Sequence, residues 1–240
     1  MRDQYAGDIS DVLKFAFLRA LASNDRCLGI AWYYDRGDDG RPDGQHLEWR
    51  DQLCWQQLDS ELHAGLSTLP ERSIAALERA LIWPSSILFH REPMPTRMFR
   101  KTWAEGMSET LQAADVVFLD PDNGLGKETN KHATMTELRL LRRPNRAIVF
   151  ITFPGRSKTH KVLVQELHER LVLETGATKI ITLRTSISIA GKKGGFVPRT
   201  RWFTVVDPDP ILIARIQAFA ELLANMPRVR VQLKGLEDCN

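Results

Sequence analysis

The sequence predicts an α/β fold, with a doubly wound, mostly parallel sheet that ends in a C-terminal antiparallel hairpin. Short apolar runs without polar alternation mark the strands, as expected for strands that are covered on both faces. Helical patterns separate most of these runs, which is typical of parallel strands joined by crossover helices. The last two runs have no helix between them and therefore predict the hairpin.

Six apolar runs are predicted as strands and seven amphipathic segments as helices. The predicted strands are 27–34, 86–90, 116–120, 147–153, 179–185 and 201–206. The predicted helices are 9–22, 47–65, 71–82, 96–113, 134–142, 159–174 and 210–225. Ser10 or Asp11 can cap the first helix. The tail after Pro227 shows no pattern.

Ligands of doubly wound folds bind beyond the carboxyl ends of the strands. Three predicted strands end in segments with functional groups or tight turns, namely Asp35, 120–124 and 154–156. Because parallel strands present their carboxyl ends at one edge of a sheet, we expect these segments to converge there. This edge is the candidate functional site.

Composition and length favour one α/β domain over residues 1–240, with residues 36–85 as a helical insertion or subdomain. A chain with 43% hydrophobic and 26% charged residues is neither disordered nor a coiled coil. Its three cysteines, Cys27, Cys54 and Cys239, are too scattered for a disulfide framework. Without a signal peptide or an apolar stretch of about 18 residues, we expect a cytoplasmic protein with no membrane partner and no disulfide partner.

Positive charge is concentrated between residues 138 and 206. This segment has 14 basic and three acidic residues, in a chain whose formal net charge is only +3. Such an excess is typical of a surface that binds nucleic-acid phosphates. The basic residues that we select as candidate contacts are Arg156, Lys158, Lys192, Lys193 and Arg199.

The sequence contains no complete calcium-loop or Walker-loop motif, and no metal site is assigned. The loop after Asp35 lacks the final glutamate of a calcium loop, because His46 stands there. Residues 191–195 lack the Ser or Thr of a Walker loop. The segment Asp120-Pro121-Asp122-Asn123 follows a buried strand, and a carboxylate there can orient a hydrogen-bond donor. A simple Asx-type turn is the alternative.

Two segments resemble motifs of a known enzyme family. Asp120-Pro121 is similar to the start of the Asp-Pro-Pro-Tyr motif of amino-group adenine methyltransferases. Tyr5–Phe15 is similar to the His-Ala-Gly-Asn-x-x-Asp-Val-Leu-Lys-His stretch of the J-type ribosomal RNA adenine methyltransferases. The matching residues of the second segment are Ala6, Gly7, Asp11, Val12, Leu13 and Lys14.

The resemblance implies a Rossmann-like fold of the methyltransferase type, S-adenosylmethionine as the cofactor, and a nucleic-acid substrate, with RNA favoured over DNA. It implies that Lys14 faces the carboxylate of the methyl donor and that Asp120 holds the target amine. The residues that would bind the cofactor are Gly7, Asp11, Lys14, Tyr34 and Asp35. The residues that would form the catalytic segment are Asp120, Pro121, Asp122 and Asn123.

The sequence departs from the family pattern where the target base would stack. Asp122 and Asn123 replace the second proline and the aromatic residue of the motif, and Phe15 replaces the second histidine. The aromatic candidates that could supply the stacking are Phe153, Phe196 and Trp202.

Two other functions fit the same residues. Asp120 and Asp122, with Asp35 or Glu137, could hold magnesium in a metal-dependent nuclease or phosphohydrolase. A non-catalytic nucleic-acid-binding protein on a degenerate methyltransferase scaffold is the other alternative.

Overall fold

A seven-stranded mixed sheet forms the centre of the computed structural model, which describes residues 1–37, 44, 46–155, 158–190 and 195–235. The strands are β1 Leu28–Trp32, β2 Ile87–His90, β3 Val116–Asp120, β4 Ala147–Thr152, β5 Ile180–Ala190, β6 Phe196–Val206 and β7 Val229–Gly235. Their order is β2-β1-β3-β4-β6-β5-β7. Strands β1 to β4 pair in parallel, whereas β6 is antiparallel to β4 and β5, and β7 is antiparallel to β5. Five strands therefore share one direction, which confirms the mostly parallel sheet and its terminal hairpin.

Helices cover both faces of the sheet. They are α1 Ile9–Ala22, α2 Leu53–Leu58, α3 Ser60–Ser67, α4 Ile74–Arg79, α5 Arg100–Thr110, α6 Met135–Leu141, α7 His160–Thr175 and α8 Pro210–Ala224. One apolar cluster joins α1, α3 and α8 to the sheet, with Phe17 packed against Phe203 and Phe219. A second cluster joins α5, α6 and α7 to the opposite face. The doubly wound architecture is confirmed.

Several predicted boundaries were wrong. The helix predicted at 47–65 is divided, because the Asp59 side chain accepts a hydrogen bond from the Leu62 amide and caps a new helix. The hairpin strands β5 and β6 are 11 residues each, longer than predicted. Strand β7 was missed, although the alternation of Val229, Val231 and Leu233 with polar residues is typical of a half-exposed strand.

The cysteines and the helices can be compared with the expectations for disulfides and for membrane spans. Cys27 and Cys54 are free thiols, and Cys239 lies outside the described residues. Within the described part of the chain, no helix combines the length and the apolar character that crossing a membrane requires.

Arg146 belongs to the basic segment, but its side chain is buried and serves the fold. Its guanidinium donates to the carbonyl oxygens of Leu111, Gln112, Ala114 and Leu141 at 2.7–3.0 Å. Burial, aided by the nearby positive charge of Arg143, lowers the pKa of Arg146 to about 10. This arginine ties the turn before β3 to the turn before β4 and is not available to a phosphate.

Replacing Arg146 with Met should lower the free energy of unfolding by roughly 3 kcal/mol, because buried carbonyl groups lose their donors. Urea unfolding monitored by circular dichroism measures this change. The matched control is Arg97→Met, since Arg97 is 90% exposed and pairs with Glu128 at 3.4 Å. Arg97→Met should lower the free energy of unfolding by less than about 1 kcal/mol, because it removes only a surface ion pair. Equal losses in the two variants would contradict the anchoring role of Arg146.

Candidate functional site

A cavity of about 520 Å³ lies at the carboxyl edge of the sheet. Its lining includes the first two turns of α1, the end of β3 with the turn that follows it, the end of β4 and strand β6. Residues that represent these walls are Ser10, Lys14, Asp120, Asn123, Phe153 and Arg199. The opening helix and the carboxylate turn, 106 positions apart in the chain, thus form walls of one cavity.

Lys14 and two carboxylates form a buried ionic cluster at this cavity. The Lys14 Nζ lies 3.0 and 2.9 Å from the two carboxylate oxygens of Asp120, and 2.7 Å from Asp11 Oδ1. All three side chains are at most 5% exposed. An ammonium group has three N–H donors, and three carboxylate oxygens surround this one. The cluster joins α1 directly to the end of β3.

The start of α1 holds Lys14 in place. Asp8 is the N-cap, and its side chain accepts hydrogen bonds from the amides of Ser10 and Asp11. The predicted caps, Ser10 and Asp11, were therefore wrong, because the helix begins two residues after Gly7. Asp11 instead accepts a hydrogen bond from the Gly7 amide at 2.8 Å, and its position three residues before Lys14 places both side chains on one face.

The environment of the cluster shifts two pKa values. Burial raises the pKa of Asp11 to about 6, helped by the charges of Asp8 and Asp120 and opposed by Lys14. Burial alone would lower the pKa of Lys14, but the carboxylates of Asp11 and Asp120 outweigh it and raise this pKa above the ordinary lysine value. Lys14 is therefore a permanent cation, whereas Asp11 can take up a proton near pH 6.

The carboxylate turn is fixed by backbone pairing. The Asn123 amide donates to the Lys131 carbonyl at 2.9 Å, and the Ala133 amide donates to the Gly124 carbonyl at 3.0 Å. Gly124 has φ +91°, and a Cβ there would lie 2.8 Å from the Cα of Thr152. Only glycine allows the turn to pack this closely on the end of β4.

Three of the five predicted cofactor residues, Gly7, Tyr34 and Asp35, do not line the cavity described above. Gly7 lies next to it and donates its amide to Asp11. Tyr34 lines a different cavity of about 630 Å³, beyond the ends of β1 and β2, and its hydroxyl donates to Asp3. Asp35 accepts hydrogen bonds from the Arg2 guanidinium, which helps hold the pKa of this carboxyl below its ordinary value even though partial burial opposes the shift. Neither residue lines the cavity that contains Lys14.

The predicted nucleic-acid contacts divide into three groups. Arg199 lines the cavity, whereas Lys158 pairs with Glu166 near the start of α7. Arg156, Lys192 and Lys193 lie outside the described residues. Another basic residue of this segment, Arg201, is buried and donates to Ser10 Oγ, so it supports the start of α1.

Of the three aromatic candidates, only Phe153 lines the cavity. Its ring is 41% exposed, enough to present a face to a bound base. Trp202 is buried against His160, and Phe196 lines another cavity. Phe15, at the position of the second histidine of the family pattern, packs in the core against Trp32 and Trp83.

Sequence reasoning missed two charged residues at the cavity, Asp8 and Lys131. Asp8 could have been found, because an aspartate just before an apolar helical pattern is a typical N-cap. Lys131 is brought to the cavity by the pairing of its carbonyl with Asn123, and nothing in its local sequence indicates this.

A magnesium site gains little support from the described residues, which contain no group of three His, Cys, Asp or Glu side chains placed to hold a metal. Glu137, one of the predicted ligands, instead accepts hydrogen bonds from Arg100 at 2.5 Å and from the Tyr33 hydroxyl at 2.9 Å. It also completes the capping box of α6 with Thr134. The Glu137 carboxylate therefore has a structural role in hydrogen bonds within the fold.

No family model matches the chain, and no curated protein sequence matches it. Among solved structures, it is similar to protein LPL1258 of Legionella pneumophila, described with the family designation DUF519. That similarity has a TM-score of 0.45 and 11% identity, over 95% of this chain and 97% of the other. It is also similar to precorrin-6y C5,15-methyltransferase of Geobacter metallireducens, with a TM-score of 0.35 and 10% identity over 83% and 88% of the two chains. Similarity at this level assigns no activity to the chain.

The raised pKa of Asp11 predicts a pH dependence of stability. A carboxyl group whose pKa is higher in the folded protein binds its proton more tightly there. Its contribution to stability is therefore complete below the ordinary pKa of 3.8 and is lost as the pH rises through about 6. Relative to Asp11→Asn, the wild-type free energy of unfolding should fall between pH 4 and 6, by at most about 1.4 kcal/mol per pH unit.

Urea unfolding at pH 4, 5, 6 and 7 measures this difference. Asp25→Asn is the matched control, because Asp25 is 52% exposed and pairs with Arg215 on the surface. If the curves for the wild type and Asp11→Asn are parallel over this range, Asp11 does not titrate as described.

Proposed function

We propose that the protein is an S-adenosylmethionine-dependent methyltransferase that acts on an amino group of a nucleic-acid base, with RNA favoured over DNA. The observation that carries this proposal is the contact between Lys14 and Asp120 at the wall of a cavity on the carboxyl edge. The resemblance implies that both residues belong to one active site, and each comes from a different one of the two segments that carry the resemblance.

The cavity fits a zwitterionic methyl donor. Its volume falls in the range of roughly 300–1,000 Å³ that is usual for small-molecule sites. Both signs of charge line it, as needed by a ligand that has a carboxylate, an amino group and a sulfonium. The acidic residues are Asp8, Asp11, Asp120 and Asp122, and the basic residues are Lys14, Lys131 and Arg199.

We assign different roles to the cationic side chains of the cavity. Because the three N–H groups of Lys14 face Asp11 and Asp120, we assign it the positioning of Asp120. Lys131 and Arg199 line the cavity without an ion-pair partner among the described residues, and they are the cations assigned to the carboxylate of the donor. Asp8 and Asp11 are assigned to its amino group. When bound, the donor supplies an electrophilic methyl group on its sulfonium sulfur.

Asp120 is the residue proposed to act on the target amine. Each carboxylate oxygen has two lone pairs, so Asp120 can accept a hydrogen bond from an amine while it keeps its bonds to Lys14. That bond fixes the direction of the nitrogen lone pair, which is catalysis by orientation and electrostatics. The same carboxylate can accept the proton that the nitrogen loses as its bond to the methyl carbon forms and the bond from that carbon to sulfur breaks, with S-adenosylhomocysteine as the leaving group. No covalent intermediate with the protein is required.

Phe153 is the residue proposed to stack on the base. Asn123 occupies the usual place of the stacking aromatic and cannot stack. The Phe153 ring lies at the same cavity, on the segment that follows β4. Stacking on an aromatic side chain contributes about 1–3 kcal/mol per base. A site with Asn123 in the motif can therefore still hold a base.

Asp120→Asn should lower the rate of methyl transfer to RNA by about 10²- to 10³-fold, because it removes the charge that orients the amine. The Kd for S-adenosylhomocysteine should change by less than about threefold, since the residues assigned to the carboxylate and the amino group of the donor are unchanged. Transfer is measured with tritiated S-adenosylmethionine and total RNA, and binding is measured by calorimetry. Asp25→Asn is the matched surface control.

Three outcomes separate the candidate functions. Absence of binding heat at millimolar S-adenosylhomocysteine would overturn the proposal. Divalent-dependent RNA cleavage that is lost in Asp120→Asn would favour the nuclease. RNA binding without donor binding would favour a non-catalytic binding protein.

Phe153→Ala should raise the KM for the nucleic-acid substrate by about tenfold, because the base loses its stacking surface. The Kd for S-adenosylhomocysteine should stay the same. Phe99→Ala is the matched control, since Phe99 is 56% exposed and lines none of the cavities described above. A KM that is unchanged in Phe153→Ala would assign the stacking to another residue.

A further inference from the structure

A second, smaller cavity lies beside the candidate active site. Its volume is about 180 Å³, below the range of roughly 300–1,000 Å³ that is usual for drug-sized ligands. It therefore suits a single planar ring system. Aromatic residues and an arginine form much of its wall, chiefly His46, Trp49, Trp55, Phe196 and Arg228.

Phe196 and Arg228 form a stacked pair at this cavity. The guanidinium carbon of Arg228 lies 3.8 Å from the centre of the Phe196 ring, a close cation–π contact. The ring is nevertheless 53% exposed, so much of its surface is open. An exposed aromatic ring beside an arginine is the usual platform on which single-stranded nucleic acids stack their bases.

The backbone holds Arg228 in this position. Arg228 has φ +61°, in the left-handed region that non-glycine residues seldom adopt, and its carbonyl accepts a hydrogen bond from the Ser188 amide at 3.0 Å. Strained residues of this kind are concentrated at functional sites. The backbone conformation of Arg228 directs its side chain across β5 to Phe196 on β6, which supports a role for this arginine at the cavity.

Polar groups at the cavity can recognise the edge of a base. Glu48 and Gln52 line it, and Gln52 Oε1 accepts a hydrogen bond from Trp55 Nε1, which fixes the amide. Carboxylates accept hydrogen bonds from the amino groups of bases, and a glutamine amide can both donate and accept. Planar walls with a few polar groups suit a nucleobase better than an aliphatic side chain.

The two cavities are adjacent. Ile9 lines the small cavity and Ser10 lines the large one, at consecutive positions of α1. The Cα atoms of Phe196 and Arg199 lie about 10 Å apart along the same strand, β6, at 3.3 Å per residue, and the odd separation directs their side chains to opposite faces of the strand. That span corresponds to about three stacked nucleotides. Arg228 at the small cavity and Arg199 at the large one are both exposed and can contact phosphates.

We propose that the Phe196–Arg228 pair and the cavity beside it form a second base-binding subsite, which takes a base one to three nucleotides from the target base. This subsite rests on the proposed function, because it requires a single-stranded nucleic-acid substrate. It makes substrate selection depend on sequence context, and it adds a contact that the active-site cavity does not provide.

Fluorescence anisotropy with two 12-nucleotide probes tests the subsite. One probe is a labelled single-stranded RNA, and the other is a labelled abasic oligomer with the same number of phosphates. The wild type should bind the RNA more tightly than the abasic oligomer. Phe196→Ala should bind the RNA about tenfold more weakly, bind the abasic oligomer as before, and keep the same salt dependence.

The controls distinguish stacking from general damage. Phe99→Ala removes an equally exposed ring elsewhere on the surface and should bind both probes like the wild type. Phe196→Trp keeps a stacking surface and should retain RNA binding. Because Phe196 is exposed, circular dichroism should show the same fold for all variants.

The outcomes separate this inference from the proposed function. Wild-type protein that binds RNA and transfers methyl groups, with no effect of Phe196→Ala, would overturn the subsite alone. Equal losses in Phe196→Ala and Phe99→Ala would also overturn it. Wild-type protein that binds neither RNA nor S-adenosylhomocysteine would overturn the proposed function, and the subsite with it.

Discussion

The buried cluster of Lys14, Asp11 and Asp120 is the interaction on which the candidate site depends. One ammonium and two carboxylates are removed from water there, at a cost that is offset only by close pairing in fixed geometry. The start of α1 is accordingly held by several contacts besides the cluster, including the Asp8 cap and the bond from Arg201 to Ser10. If α1 moved by one turn, the charges would lose their partners.

This constraint determines how the carboxylate is presented. Asp120 is the last residue of β3, between β1 and β4 in the sheet, so its backbone has little freedom. Gly124 then lets the following turn pack on Thr152. A functional group on a central strand is positioned more accurately than one on a loop. The cluster therefore both stabilises the fold and orients the group that is proposed to act on the substrate.

The sequence predicted what local patterns encode. Strands β3 and β4 were found because their residues are apolar on both faces, and the hairpin was found because no helix separates its strands. The resemblance implied that Lys14 and Asp120 belong to one site, but it had Lys14 facing the carboxylate of the methyl donor. The direct ion pair between the two side chains was not predicted, since no periodicity relates residues 106 positions apart. Helix α3 was merged with its neighbour because Asp59 acts as a cap within an otherwise continuous helical pattern.

The role of Arg146 shows why charge counting alone misleads. Its four carbonyl acceptors belong to segments that only the fold brings together, so its burial has no local signal. Arg201 is similarly committed to Ser10, and Arg142 to Asp207. Among the described residues, Lys131 and Arg199 are the cations of the cavity that have no ion-pair partner, so their charge remains available to an anion.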